Sequence, residues 1–140
     1  MKIAVIYWTM TGNTEAMAYQ VAAGVKEAGS DASVFSVSEF DVASAADYDG
    51  FALGCPAMGA EELDTGEFEP MYRELIPTLQ NKKVVIFGSY DWGDGEWLRI
   101  WAQDCADNGI TLAAEPLQVH LTPDAEGETA CQQLGKDLVA

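Results

Sequence analysis

The run Lys83-Val84-Val85-Ile86-Phe87-Gly88 carries no alternation of polar and apolar residues. A strand of that kind must be covered on both faces, and such strands belong to parallel sheets with helices above and below. Lys2 to Trp8, apolar and partly β-branched, reads as a second buried strand. Asp49 to Cys55, with glycines near both ends, reads as a third. Between them the period changes: Met17, Val21 and Val25, with Ala18 and Ala22 beside them, fall on one face of a helix. Strands alternating with helices specify an α/β chain with one parallel sheet and helices on both sides.

The remaining segments fit that frame. The first helix should end near Ala28 with Gly29 as a left-handed cap. A strand over Ala32–Val37 follows, and Ser38–Tyr48 reads as a short helix or an irregular turn. The next helix should start at Gly66 or Glu67, with Phe68, Met71 and Leu75 on its inner face. Pro70 lies near its first turn, where a missing N–H costs least, and Pro77 is expected to limit its far end. A further helix carries Trp97, Leu98, Trp101 and Cys105 on one face and stops at Asn108-Gly109. The last strand, Ile110 to Val119, is interrupted by Glu115-Pro116 and should be split and at an edge. Thr122-Pro123-Asp124 then signals a final helix, with Thr122 as cap and Cys131, Leu134 and Leu138 as its face.

In a sheet of this kind ligands bind beyond the carboxyl ends of the strands, where the strand order reverses. The loops at those ends are the polar, glycine-bearing ones. The first is Thr9-Met10-Thr11-Gly12-Asn13-Thr14, between a strand and a helix N-terminus. Such a terminus offers unpaired N–H groups and the positive end of a dipole, which suit an anion. It contains no Lys or Arg, so a phosphate here would be held by dipoles and hydrogen bonds alone. The residues by themselves leave a second reading open, a polar loop in which Asn13 or Thr14 caps the helix. Neither the phosphate-loop lysine pattern nor the dinucleotide glycine pattern is present.

With two further loops the pattern resembles the flavodoxin family. Thr-x-Thr-Gly-Asn-Thr after the first strand is similar to that family's FMN-phosphate loop. Cys55-Pro56-Ala57-Met58-Gly59 is close to the clostridial type, and Gly88-Ser89-Tyr90-Asp91-Trp92-Gly93-Asp94-Gly95 resembles the aromatic loop of the short-chain members. The resemblance covers nearly the whole chain as one domain, residues 1–140, and implies the doubly wound strand order 2-1-3-4-5. It implies an FMN anchored by Thr9 to Thr14 and a ring slot built from Pro56, Ala57, Met58, Gly59 and Ala60 on one side. Ser89, Tyr90, Asp91, Trp92 and Gly93 would form the other. Met58 would be the inner-face contact and Trp92 the outer stacking partner. In the family, the peptide after this methionine turns its carbonyl toward flavin N5, accepting a hydrogen bond that the oxidised ring cannot donate. Gly59 permits the required backbone, while Ala60 departs from the acidic residue often found there. Without the resemblance, Met58 would read as core filler and Trp92 as a surface side chain. Trp97 and Trp101, at helical spacing, read as core.

Charge narrows the functional class. Seven basic and twenty-three acidic side chains give a formal net charge of −16, which opposes nucleic acid and anionic membranes and favours partners with basic patches. Acids gather in the loops at Glu61, Glu62, Asp64, Glu67, Asp91, Asp94 and Glu96. The fully reduced flavin is an anion, and a negative charge about 10 Å away at an effective dielectric near 40 opposes it by roughly 0.8 kcal/mol. That is about 35 mV for a one-electron step, against ~59 mV per tenfold change. A low-potential, monomeric, one-electron carrier working between redox proteins follows as the expectation, with no catalytic residue and no metal of its own. The enzyme alternative is an FMN-dependent quinone or NAD(P)H reductase on the same fold. A receiver domain would need acids at the end of the first strand, where Tyr7-Trp8-Thr9 stand, and the cysteine and arginine of the small tyrosine phosphatases are missing there. Cys55, Cys105 and Cys131 form no CxxC pair and no zinc spacing, and with no signal peptide they point to a reducing, cytoplasmic setting. His120 reads as structural or surface, and Cys55 has no base nearby in sequence to make it a nucleophile.

Overall fold

A computed structural model describes residues 1–58 and 62–140. Five parallel strands form one sheet: β1 (Lys2–Tyr7), β2 (Asp31–Ser36), β3 (Gly50–Gly54), β4 (Lys83–Tyr90) and β5 (Leu117–His120), in the order β2-β1-β3-β4-β5. The helices are α1 (Asn13–Glu27), α2 (Phe68–Leu79), α3 (Glu96–Asp107) and α4 (Ala125–Leu138), with a 3-10 turn at Val42–Asp47.

The two-residue period of the strands sorts the core into two layers. Ala4, Ile6, Phe51, Leu53, Val84 and Ile86 face α2, α3 and the 3-10 turn, where Tyr72, Trp97 and Trp101 fill the space. Ile3, Val5, Tyr7, Ala52, Val85 and Phe87 face α1 and α4. Residues of β4 therefore supply both layers, which is why its sequence shows no polar alternation.

The strand order 2-1-3-4-5 matches the expectation, as does the split last strand. Leu112 bridges Val84 and β5 resumes at Leu117, with Glu115-Pro116 between them. Several boundaries move for identifiable reasons. β4 runs two residues past Gly88, because Ser89 and Tyr90 pair with Val119 and His120. β2 starts one residue earlier than expected, as Asp31 pairs with Lys2 and its N–H donates to the Met1 carbonyl at 2.9 Å. Pro77 lies inside α2 and does not end it. Buried Leu75, Ile76 and Leu79 hold that last turn against the sheet despite the missing donor. The cap of α4 is Asp124, whose Oδ1 accepts from Gly127 N at 2.8 Å, and not Thr122.

Helices α1 and α4 pack backbone to backbone. A Cβ on Gly24 would lie 2.0 Å from the Gln132 carbonyl oxygen, and one on Gly135 would lie 2.2 Å from that of Val21. Alanine at either site gains up to about 1 kcal/mol of helix propensity but must force two rigid backbones apart. Gly24→Ala and Gly135→Ala are each expected to lower unfolding stability in urea by about 1–3 kcal/mol. A gain in stability would contradict this packing.

Candidate functional site

The strand order reverses between β1 and β3, and the loops leaving their carboxyl ends part there. The ladder continues past the end of β3: Cys55 N donates to the Phe87 carbonyl and Ala57 N to the Ser89 carbonyl, each at 3.1 Å. Pro56, Ala57 and Met58 are thus laid along the end of β4. Met58 and Glu62 then exchange backbone hydrogen bonds of 2.9 and 3.3 Å. Gly59 and Ala60, expected at this turn, lie outside the described residues.

On the other side of the reversal, the chain leaves β1 through Trp8 and turns into α1 at Gly12, whose φ is +94°. Thr9 Oγ1 accepts from Gly12 N at 3.0 Å and closes the loop. Among the described residues no side chain caps α1, and neither Asn13 nor Thr14 serves as the cap. Its first-turn N–H groups are left for a ligand. Asn13 Oδ1 instead accepts from Thr122 Oγ1 at 2.9 Å. Thr14 is fully buried, its hydroxyl 2.9 Å from that of Ser89. That pair fastens the first turn of α1 to the end of β4. Glu15 Oε2 accepts from Tyr7 Oη at 2.6 Å. Burial, reinforced by Glu15, pushes the Tyr7 hydroxyl well above its ordinary range, so it stays a neutral donor.

Between these loops opens a cleft of about 280 Å³, near the lower end of small-molecule sites. Thr9, Met10, Thr11 and Asn13 line it from the first loop, Pro56, Ala57 and Met58 from the second, and Ser89, Tyr90 and Asp91 from the end of β4. Gly12 and Thr14 act from behind it. Trp92 is outside the lining and 62% exposed, and Gly93, at φ +87°, forms the turn that follows. One lining residue, Leu121, comes from the β5–α4 junction, which the sequence reading passed over. Its φ is +59°, among the described residues the one left-handed backbone that is not a glycine. Only the Thr-Pro-Asp that follows hinted at a turn there.

A family model described as flavodoxin matches residues 5–135. The chain belongs to the flavodoxin family. It is 43% identical over 134 residues to the flavodoxin of Megasphaera elsdenii and 40% identical over 134 residues to that of Clostridium beijerinckii, with 96% of both chains covered in each case. The solution structure of two-electron reduced Megasphaera elsdenii flavodoxin matches with a TM-score of 0.86 and 42% identity, covering 97% of each chain. Flavodoxins bind FMN and carry electrons, and this chain is an FMN-binding electron carrier.

The donor set suits such a cofactor. A phosphate monoester would find an uncapped helix N-terminus and the hydroxyls of Thr9 and Thr11. A flat ring would find apolar side chains at Ala57 and Met58 and the aromatic ring of Tyr90 in the same lining.

The acids around the cleft are less free than their number implies. Asp64 Oδ2 accepts from Glu67 N and Phe68 N at 2.8 and 2.9 Å and so caps α2. Glu67 accepts from the Trp8 indole at 3.3 Å, and Asp94 pairs with Arg99 at 3.1 Å. Cys55 is structural: its sulfur accepts from Asp64 N and donates to the Pro56 carbonyl. Burial pushes its thiol up from an ordinary 9.0 to about 12, and that of Cys131 likewise to about 12. In the unfolded chain these thiols ionise near their ordinary value. Their contribution to stability is therefore full below about pH 9 and lost as pH rises from about 9 to 12. The urea midpoint should fall across that window, and less so in Cys55→Ala/Cys131→Ala. Iodoacetamide at pH 8.5 should label the unfolded chain only; rapid labelling of the native protein would contradict this placement.

Proposed function

We propose that this chain works as a low-potential one-electron carrier between redox proteins, and that it converts no substrate of its own. The observation that carries the reading is the uncapped start of α1 beside the cleft, with no Lys or Arg in the lining. Thr9 to Thr14 would hold the FMN phosphate. Pro56, Ala57, Met58, Gly59 and Ala60 would line the inner face of the ring, and Ser89, Tyr90, Asp91, Trp92 and Gly93 the outer face. When bound, FMN supplies a group that accepts and releases single electrons. The protein supplies binding, orientation and a field. Trp92, exposed beside the cleft, is free to cover a ring, and that burial would stabilise the complex.

The field is set by Glu62, Asp91 and Glu96 together with the net charge of −16, after Asp94 is discounted for its pairing with Arg99. Negative surroundings oppose the anionic, fully reduced ring and lower the second potential. The same charge favours partners with basic docking surfaces around an exposed flavin edge. We place the protein in the cytoplasm as a single-domain monomer. Three free, buried cysteines suit a reducing compartment, and no described helix is long and apolar enough to cross a membrane.

Potentiometric titration of the FMN-loaded protein tests the reading. Two separated one-electron steps are expected, the second well below zero, with no NADPH oxidation unless a reductase is added. A positive second potential, or NADPH turnover by the protein alone, would contradict it. Trp92→Ala should weaken FMN binding by about tenfold, the scale of one aromatic stacking contact of ~1.5 kcal/mol.

A further inference from the structure

We infer that His120 is a positioning residue for the flavin slot, fixing the loop that carries Trp92 from the β5–α4 junction. The inference rests on the flavin reading above and extends it to a segment outside the three expected loops.

Three consecutive residues tie this junction to both halves of the cleft. His120 Nε2 is 2.9 Å from the Asp91 carbonyl oxygen, next to Trp92. That oxygen can only accept, so Nε2 carries the proton. The imidazole also lies against the Tyr90 ring, with centroids 5.1 Å apart. Leu121 N donates to the Tyr90 carbonyl at 2.8 Å, and its side chain lines the cleft. Thr122 Oγ1 donates to Asn13 Oδ1 at 2.9 Å, reaching the first turn of α1.

The backbone at Leu121 shows that this arrangement is held and not merely adopted. A leucine at φ +59° is sterically disfavoured and persists only where its neighbours over-determine it. The hydrogen bonds on either side do so. Beyond the end of β4, the chain at Asp91–Asp94 runs over the surface. Asp91 and Trp92 are both exposed. The imidazole supplies a side-chain peg directly before Trp92. The peg sets where the indole stands relative to the cleft, while Thr122 acts on the anchor side. The two ends of the junction therefore have separable effects on binding.

The test uses the full chain without cofactor, titrated with FMN and with riboflavin, which lacks the phosphate. Binding is read by flavin fluorescence quenching and by the visible circular dichroism of the bound ring. Loss of one hydrogen bond corresponds to about fivefold to tenfold in affinity. His120→Ala should weaken FMN and riboflavin by that same factor and alter the dichroism. His120→Gln, which can place an amide donor where Nε2 lies, should bind like wild type. His120→Asn, whose amide reaches only to the Nδ1 position, should behave as alanine does. Thr122→Val should weaken FMN more than riboflavin. If the three His120 variants bind alike, whether all tightly or all weakly, the inference is overturned. That holds even if alanine lowers the melting temperature of the free protein. Wild-type binding of FMN tests the underlying flavin reading separately, and its failure would overturn both.

Discussion

The site depends on a helix that begins without a side-chain cap. At Gly12 the chain turns through a left-handed residue, and the first N–H groups of α1 have no partner within the helix. The polar side chains that might have capped it are engaged elsewhere, Asn13 with Thr122 and Thr14 with Ser89. What stabilises this open end in the free protein is its surroundings. The buried Thr14–Ser89 hydroxyl pair clamps it to β4, and α1 packs closely on α4 through Gly24 and Gly135.

The same architecture sorts charge along the molecule. Lys2 and Lys83 begin strands, Lys82 precedes β4, and Lys26 and Lys136 lie in the last turns of α1 and α4. Five of the seven basic residues thus lie at the end of the sheet opposite the cleft. There they complement the carboxyl ends of the helix dipoles. Arg73 and Arg99 are paired with Asp104 and Asp94. The cleft end is left to acids and to helix N-termini, so an anion there would be bound by local dipoles against an unfavourable overall field. On the proposed reading, that combination would hold a phosphate while disfavouring additional negative charge on the ring.

Much of the fold was legible because burial on both faces leaves a strong signature in sequence. The run Val84–Phe87 reads as a strand buried on both faces, and the faces Met17-Val21-Val25 and Trp97-Trp101-Cys105 mark two helices. Boundaries were less legible where tertiary contacts override local chemistry. Pro77 is carried within α2 by the packing of Leu79, and β4 is lengthened by a partner strand far away in sequence. The loop motifs located three walls of the cleft. The fourth was hidden because His120, Leu121 and Thr122 form no motif. Their roles arise from hydrogen bonds to residues 29 to 109 positions distant, which periodicity and spacing do not encode.

We propose that uncharged backbone donors at the start of α1 hold the phosphate. Amide proton and nitrogen shifts of residues 11–15, compared between FMN and riboflavin complexes, test it most directly. Large downfield proton shifts are expected at Asn13, Thr14 and Glu15 with FMN, and little change there with riboflavin. Shifts that are the same with both ligands would contradict it.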